Sequence, residues 1–120
     1  MDKAGKYVDG FVVPVPRDNI DAYKAMSTTA AQLWKEHGAL EYIECVADDV
    51  KPGKVTSFPQ SVNLKDDEVV VFSWAVYESR QKRDEIMEKI MKDPRMQTDP
   101  KDWPFDGQRM IFGGFAPLVG

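Results

Sequence analysis

The side chains with the means to do chemistry in this chain are few: one histidine, two glutamates three positions apart, a tryptophan within an apolar run, and an arginine ahead of the last apolar segment. His37 is the only histidine, so it alone has an ordinary pKa near neutrality and is the first candidate for a general base. Its place at the end of a helical pattern offers a plainer role, complementing the negative end of the helix dipole. One histidine cannot supply a multi-histidine metal site. Adjacent acids such as Asp48 and Asp49 are ordinarily solvated in a loop, so no metal and no cofactor is assigned. Glu41 and Glu44 fall on opposite faces of one strand pattern, which puts one of them in apolar surroundings that raise a carboxyl pKa and make it a usable acid or base. The competing expectation is an ion pair with Arg109, Arg80 or Arg83. Trp74 lies mid-strand and reads first as core. Cys45 has no basic neighbour in sequence and, buried on a strand, would be inert.

Composition narrows what these residues can serve. With 120 residues the chain suits one domain, and 16 basic against 20 acidic side chains give a formal charge of −4, leaving no basic footprint for nucleic acid or anionic lipid. A single cysteine excludes an internal disulfide framework and fits a reducing compartment, so a cytoplasmic location is expected. No apolar run approaches the roughly 20 residues of a membrane helix. The leading residues Met1 to Lys6 pass into a strand pattern without an apolar signal segment.

The elements that must position the candidates follow from periodicity. Tyr7 to Val15 is rich in β-branched and aromatic residues, and Pro14 and Pro16 are expected to close it as the first strand. Asp18 is a plausible cap for a helix whose apolar stripe runs Ile20, Tyr23, Met26, Ala30, Leu33, Trp34 and His37, with Gly38 as its stop. Ala39 to Ala47 reads as the second strand, Leu40, Tyr42, Glu44 and Val46 on one face, Glu41, Ile43 and Cys45 on the other. Glu68 to Tyr77 is almost uninterruptedly apolar, the mark of a central strand covered on both faces. Ser79 caps a second helix with Ile86, Met87, Ile90 and Met91 on its stripe, ended near Asp93 by Pro94. Arg109 to Phe115 is the last strand, where Gly113-Gly114 invites a bulge or a close backbone approach. Two long segments, 48–67 and 94–108, remain as loops. They carry Phe58, Trp103 and Phe105, aromatic residues suited to folding over a ligand or reaching a partner.

Strand, helix, strand, strand, helix, strand is the ferredoxin-like βαββαβ order: an α+β fold with a four-stranded antiparallel sheet and two helices on one face. If the sheet is apolar on both faces, a second subunit is needed to bury the uncovered one. Two such sheets packed face to face close a barrel, whose interior, or the cleft between sheet and helices, would hold a ligand.

The run Trp34-Lys35-Glu36-His37-Gly38-Ala39-Leu40, the segment Asp48-Asp49-Val50 followed by Thr56-Ser57-Phe58-Pro59, the stretch from Phe72-Ser73-Trp74 to Tyr77-Glu78-Ser79-Arg80, and the tail Pro104-Phe105-Asp106-Gly107-Gln108-Arg109 through Phe115 together resemble the YbaA-like family of small bacterial proteins, a family of unknown function. The resemblance covers nearly the whole chain and implies the dimeric α+β barrel superfamily and a homodimer. Haem-degrading and quinol-oxidising barrels of that superfamily use a third-strand tryptophan, to which Trp74 corresponds. Asp9 stands where the haem-degrading proteins have an asparagine, however, and the second helix carries no histidine to ligate haem. The expected function is therefore binding of a small, partly apolar molecule by a homodimer. His37 and Glu44 are its candidate catalytic residues, and Trp74, Arg109, Glu41, Phe58 and Phe105 its candidate binding residues. The alternatives are a cofactor-free oxygenase or isomerase with His37 or a buried glutamate as base, and a non-catalytic interaction scaffold.

Overall fold

The computed structural model describes residues 6–120, so the leading segment Met1 to Gly5 lies outside the described residues. Its elements are β1 (Tyr7–Pro16), α1 (Ile20–Glu36), β2 (Glu41–Val46), α2 (Phe58–Ser61), β3 (Glu68–Tyr77), α3 (Arg80–Lys92) and β4 (Ile111–Phe115). They form one antiparallel sheet in the order β2-β3-β1-β4, the ferredoxin-like arrangement. The short α2 is an element the sequence pattern did not reveal: it opens at Ser57, whose side chain accepts from the Gln60 N–H.

Register sorts every strand residue to a face. Val13 pairs with Val71, Phe11 with Ser73, and Ser73 in turn with Glu44, so these side chains share the face that α1 and α3 cover. Val13, Val15 and Val71 pack there with Tyr23, while Leu33, Trp34, Ala75, Tyr77, Ile86 and Ile90 form the core nearer α3. Met91, expected on the α3 stripe, is exposed, because the buried face is the narrower line of Ile86 and Ile90. The opposite, back face carries Val12, Val70, Phe72, Trp74, Ile43, Cys45, Ile111 and Phe115. Among the described residues one end of it is covered, where Val62 packs on Val12 and Val70 with Ala47 and Leu64 beside them. Cys45 is exposed, not buried as expected: it lies on this back face, beside Phe72.

β1 closes at Pro16, one residue past the expected Val15, and Pro14 lies within it. The Arg17 N–H donates to the Asp67 carbonyl across the β1–β3 ladder, so alternate residues point their nitrogens away from β3. On that side β4 has already ended at the Val12–Ile111 pair, so neither proline removes a ladder bond. At the start of α1, Asp18 lies in a 3-10 turn (Arg17–Asn19), and Asn19 is the cap residue. At its end Gly38 has φ +117°, and the N–H groups of Gly38 and Ala39 return to the Lys35 and Trp34 carbonyls at 3.1 and 2.9 Å. Ser79 caps α3 as expected, accepting from the Lys82 N–H at 3.0 Å. The Gly113-Gly114 pair pairs regularly with β1 and forms no bulge. Gly114 instead gives the close approach: a Cβ there would collide with the Arg83 guanidinium and the Tyr7 hydroxyl.

Candidate functional site

Between α1 and the covered face of the sheet lies a cavity of about 520 Å³. Its floor is sheet: Phe11 and Val13 of β1, Tyr42 and Glu44 of β2, Ser73 of β3. One wall is α1, which presents Tyr23, Met26, Ala30 and Trp34 at helical spacing. The other wall is the segment 94–110, which contributes Met96, Trp103, Pro104, Phe105 and Met110. That segment is a strap tied at both ends of α1. The Arg95 guanidinium bridges Glu36 and Asp93, each at 2.9 Å, and Asn19 Nδ2 donates to the Pro104 carbonyl at 3.0 Å. Within the strap Trp103 stacks on Phe105 (5.3 Å, 21°), and Phe105 meets Tyr23 edge-on (5.5 Å, 79°). Gly107 makes the stack possible, since a Cβ there would sit 2.7 Å from the Trp103 ring.

Glu44 is the polar centre of the cavity. One carboxylate oxygen accepts from the Tyr23 hydroxyl and the other from the Tyr42 hydroxyl, the latter at 2.7 Å. Burial, with the Glu44 charge adding to it, pushes both phenols well above the usual tyrosine range, so they stay protonated and act as donors. Tyr42 also packs on Trp34 (5.3 Å), whose indole N–H donates to Tyr77 at 2.9 Å. Tyr77 in turn donates its hydroxyl hydrogen bond to Asp9 at 2.8 Å, and Asp9 meets the Arg83 Nε at 3.4 Å. Burial raises the Asp9 carboxyl, against the lowering effect of Tyr77 and Arg83. The wall of the cavity is thus backed by a buried polar chain that reaches β1 and α3.

The cavity brings together only part of the expected set. Glu44 and Phe105 line it. His37 does not: it is the residue after α1, its Nε2 3.7 Å from Asp93, in the cluster that ties α1 to the end of α3. Arg109 also lies outside the lining and holds Glu68 (2.8 Å), Asp106 (3.0 Å) and the Asn63 carbonyl (3.0 Å). Glu41 and Trp74 meet on the back face, where Trp74 Nε1 donates to Glu41 Oε1 at 2.6 Å. Phe58 packs edge-on against Phe72 on that same face (5.6 Å). Trp74 is half-buried, short of the fully covered core position expected of it. The expectation missed Tyr23, Tyr42 and Trp34. Their signal was present in the stripe of α1 and in the alternation of β2, which places Tyr42 and Glu44 on one face. Among the described residues no cluster of three or more His, Cys, Asp or Glu side chains is poised for a metal.

The family model described as "Protein of unknown function (DUF1428)" matches residues 6–107. The chain belongs to the DUF1428 family. It is 53% identical over 114 residues to the uncharacterized protein YbaA of Escherichia coli K12, covering 95% of this chain and 97% of YbaA, with the same identity to the YbaA of Shigella flexneri. Among solved structures, this DUF1428 chain resembles a dimeric ferredoxin-like protein from an uncultured marine organism (TM-score 0.57, 10% identity, 97% of this chain and 98% of that one). It likewise resembles an uncharacterized NIPSNAP-like domain protein from Burkholderia xenovorans (TM-score 0.54, 14% identity, 96% and 87%). At such identities these likenesses establish the ferredoxin-like fold of the DUF1428 chain and nothing finer.

Proposed function

We propose that the protein binds a small, largely apolar molecule in the cavity between α1, the sheet and the strap, and that it does so as a homodimer. The observation that carries the reading is the cavity itself: about 520 Å³, aromatic on several sides, with one hydrogen-bonded carboxylate at its floor. That volume and that pattern, apolar walls with a few convergent polar groups, are those of small-molecule sites. Thermal-shift screening of a metabolite panel tests it, because a ligand that binds only the folded state stabilises it by about 2.7 kcal/mol at a hundredfold excess over Kd. The expected outcome is a rise of several degrees in Tm for compounds with an apolar ring, lost in Phe105→Ala. A panel of cavity-sized apolar compounds that leaves Tm unmoved overturns it.

An enzymatic reading is favoured by one observation, the placing of Glu44 inside the cavity. In that reading Glu44, and not His37, is the base within reach of a bound molecule, because His37 is not among the lining residues.

The homodimer is supported by the back face. Ile43, Phe72 and Phe115 remain 39%, 41% and 61% exposed there, an apolar surface that the other described residues leave open. A second copy of the same sheet is the occupant we assign to it, and the dimeric description of the marine ferredoxin-like protein is in keeping with that assignment.

A further inference from the structure

The geometry points to an organic cation as the ligand of this cavity: an amine or quaternary ammonium on a flat apolar body, its charge on Glu44 and its body against Trp103 and Phe105. This deepens the small-molecule reading above and rests on it.

Charge bookkeeping in the cavity carries the inference. Both Glu44 oxygens accept hydrogen bonds, but from neutral phenols, and among the described residues Glu44 enters no ion pair. Arg95 is the basic side chain in the lining, and its guanidinium is committed to Glu36 and Asp93 at the strap's hinge. Asp102 adds a second carboxylate to the rim. The lining thus holds two carboxylates against one guanidinium that is already bound elsewhere. A neutral ligand without a hydrogen-bond donor would leave Glu44 desolvated and unpartnered on that side, one with a donor would offer it only a neutral hydrogen bond, and an anionic one would add repulsion. A cation reverses the sign of each effect. It gains a charge-assisted hydrogen bond to the remaining lone pairs of Glu44 and the attraction of the aromatic faces around it. The two tyrosines give the carboxylate a fixed direction, so the charge is presented at one point of a mostly apolar lining. This is the pattern that selects a ligand by one charged group on an apolar frame.

Three probes that share a body and differ in charge separate the possibilities: 3-phenylpropylamine, 3-phenylpropanol and 3-phenylpropionate, titrated calorimetrically into the full-length protein at pH 7. Benzyltrimethylammonium serves as a cation without N–H donors. The amine is expected to bind at least about tenfold more tightly than the alcohol, and the carboxylate more weakly than either. In Glu44→Gln the amine should fall to the level of the alcohol, while the alcohol changes little and the circular dichroism spectrum is retained. Tyr42→Phe, which removes one clamp and keeps the charge, should weaken the amine less than Glu44→Gln does. Equal binding of amine, alcohol and carboxylate, all weakened by Phe105→Ala, would overturn the cation assignment while leaving the cavity reading intact. An amine whose affinity survives Glu44→Gln would overturn it too. If none of the four probes binds, the cation assignment falls, while the small-molecule reading stands or falls with the thermal-shift panel.

Discussion

Arg109 closes on Glu68 with two nitrogens and holds Asp106 and the carbonyls of Val62 and Asn63 as well, so one guanidinium ties β3 to the segments on either side of the sheet. Glu68 is 3% exposed and also accepts from the Lys65 N–H at 2.8 Å. The Arg109 hydrogen bond, ahead of its Lys65 backbone bond, holds the Glu68 carboxyl below its ordinary value of 4.5 despite burial. An acid lowered in this way contributes stability that is whole above the unfolded value and is lost as pH falls through the folded one. Glu68→Gln should therefore lower stability by about 1.5–3 kcal/mol at neutral pH, and the gap from wild type should narrow below pH 4.5. Urea midpoints taken from pH 7 to pH 3 measure this. Curves that stay parallel down to pH 3 would show that the pair does not carry the stability. Sequence placed Arg109 in a ligand site because an arginine beside a strand end has the same appearance in either role. Its actual partner is 41 positions away, and no local pattern announces such a contact.

Among the elements, legibility followed how local the cause is. The apolar run of β3, the stripe of α1 and the Ser79 cap arise from neighbouring residues, and each was readable. That Pro14 costs β1 no ladder bond was not, because it depends on where β4 ends. The cavity was half legible. The alternation in β2 puts Tyr42 and Glu44 on one face, and the stripe of α1 includes Tyr23 and Trp34, but only the fold brings the Trp103–Phe105 stack over them. His37 was misplaced for the complementary reason: it is the residue after α1, just before the turn at Gly38, and its ring lies beside Asp93 at the end of α3 and outside the cavity lining. That turn can be tested as an element. Gly38 has φ +117°, and a Cβ would lie 3.2 Å from the Lys82 Cε. Gly38→Ala therefore carries backbone strain as well as crowding, and is expected to cost about 1–2 kcal/mol in chemical denaturation. An unchanged midpoint would mean that the turn relaxes without loss.

At the scale of the molecule, the alternation of β3 separates two jobs across one strand. Ser73 points into the cavity, while its neighbours Phe72 and Trp74 point to the uncovered back face with Ile43 and Phe115. Phe72 and Trp74 pack on each other at 5.8 Å, and Phe58 meets Phe72 from the edge, so the patch is an ordered aromatic surface already built before any partner arrives. A face of this kind is stable in water only at a cost, and pairing with its own copy removes the cost from both chains at once. The wild-type protein is therefore expected to sediment at twice the 13.6 kDa chain mass at micromolar concentration. Phe72→Asp puts a charge at the centre of the patch and should give a folded chain sedimenting at 13.6 kDa, with its circular dichroism spectrum retained. Every wall of the cavity comes from a single chain, on the other side of the sheet, so the monomeric variant should still bind what the wild type binds. A wild-type protein that sediments as a single chain would remove the dimer and leave the cavity standing. A monomeric variant that loses its ligand would show instead that the sheet couples its two faces, with the packing of Phe72 and Trp74 fixing the position of Ser73 and, through it, the floor on which Glu44 sits.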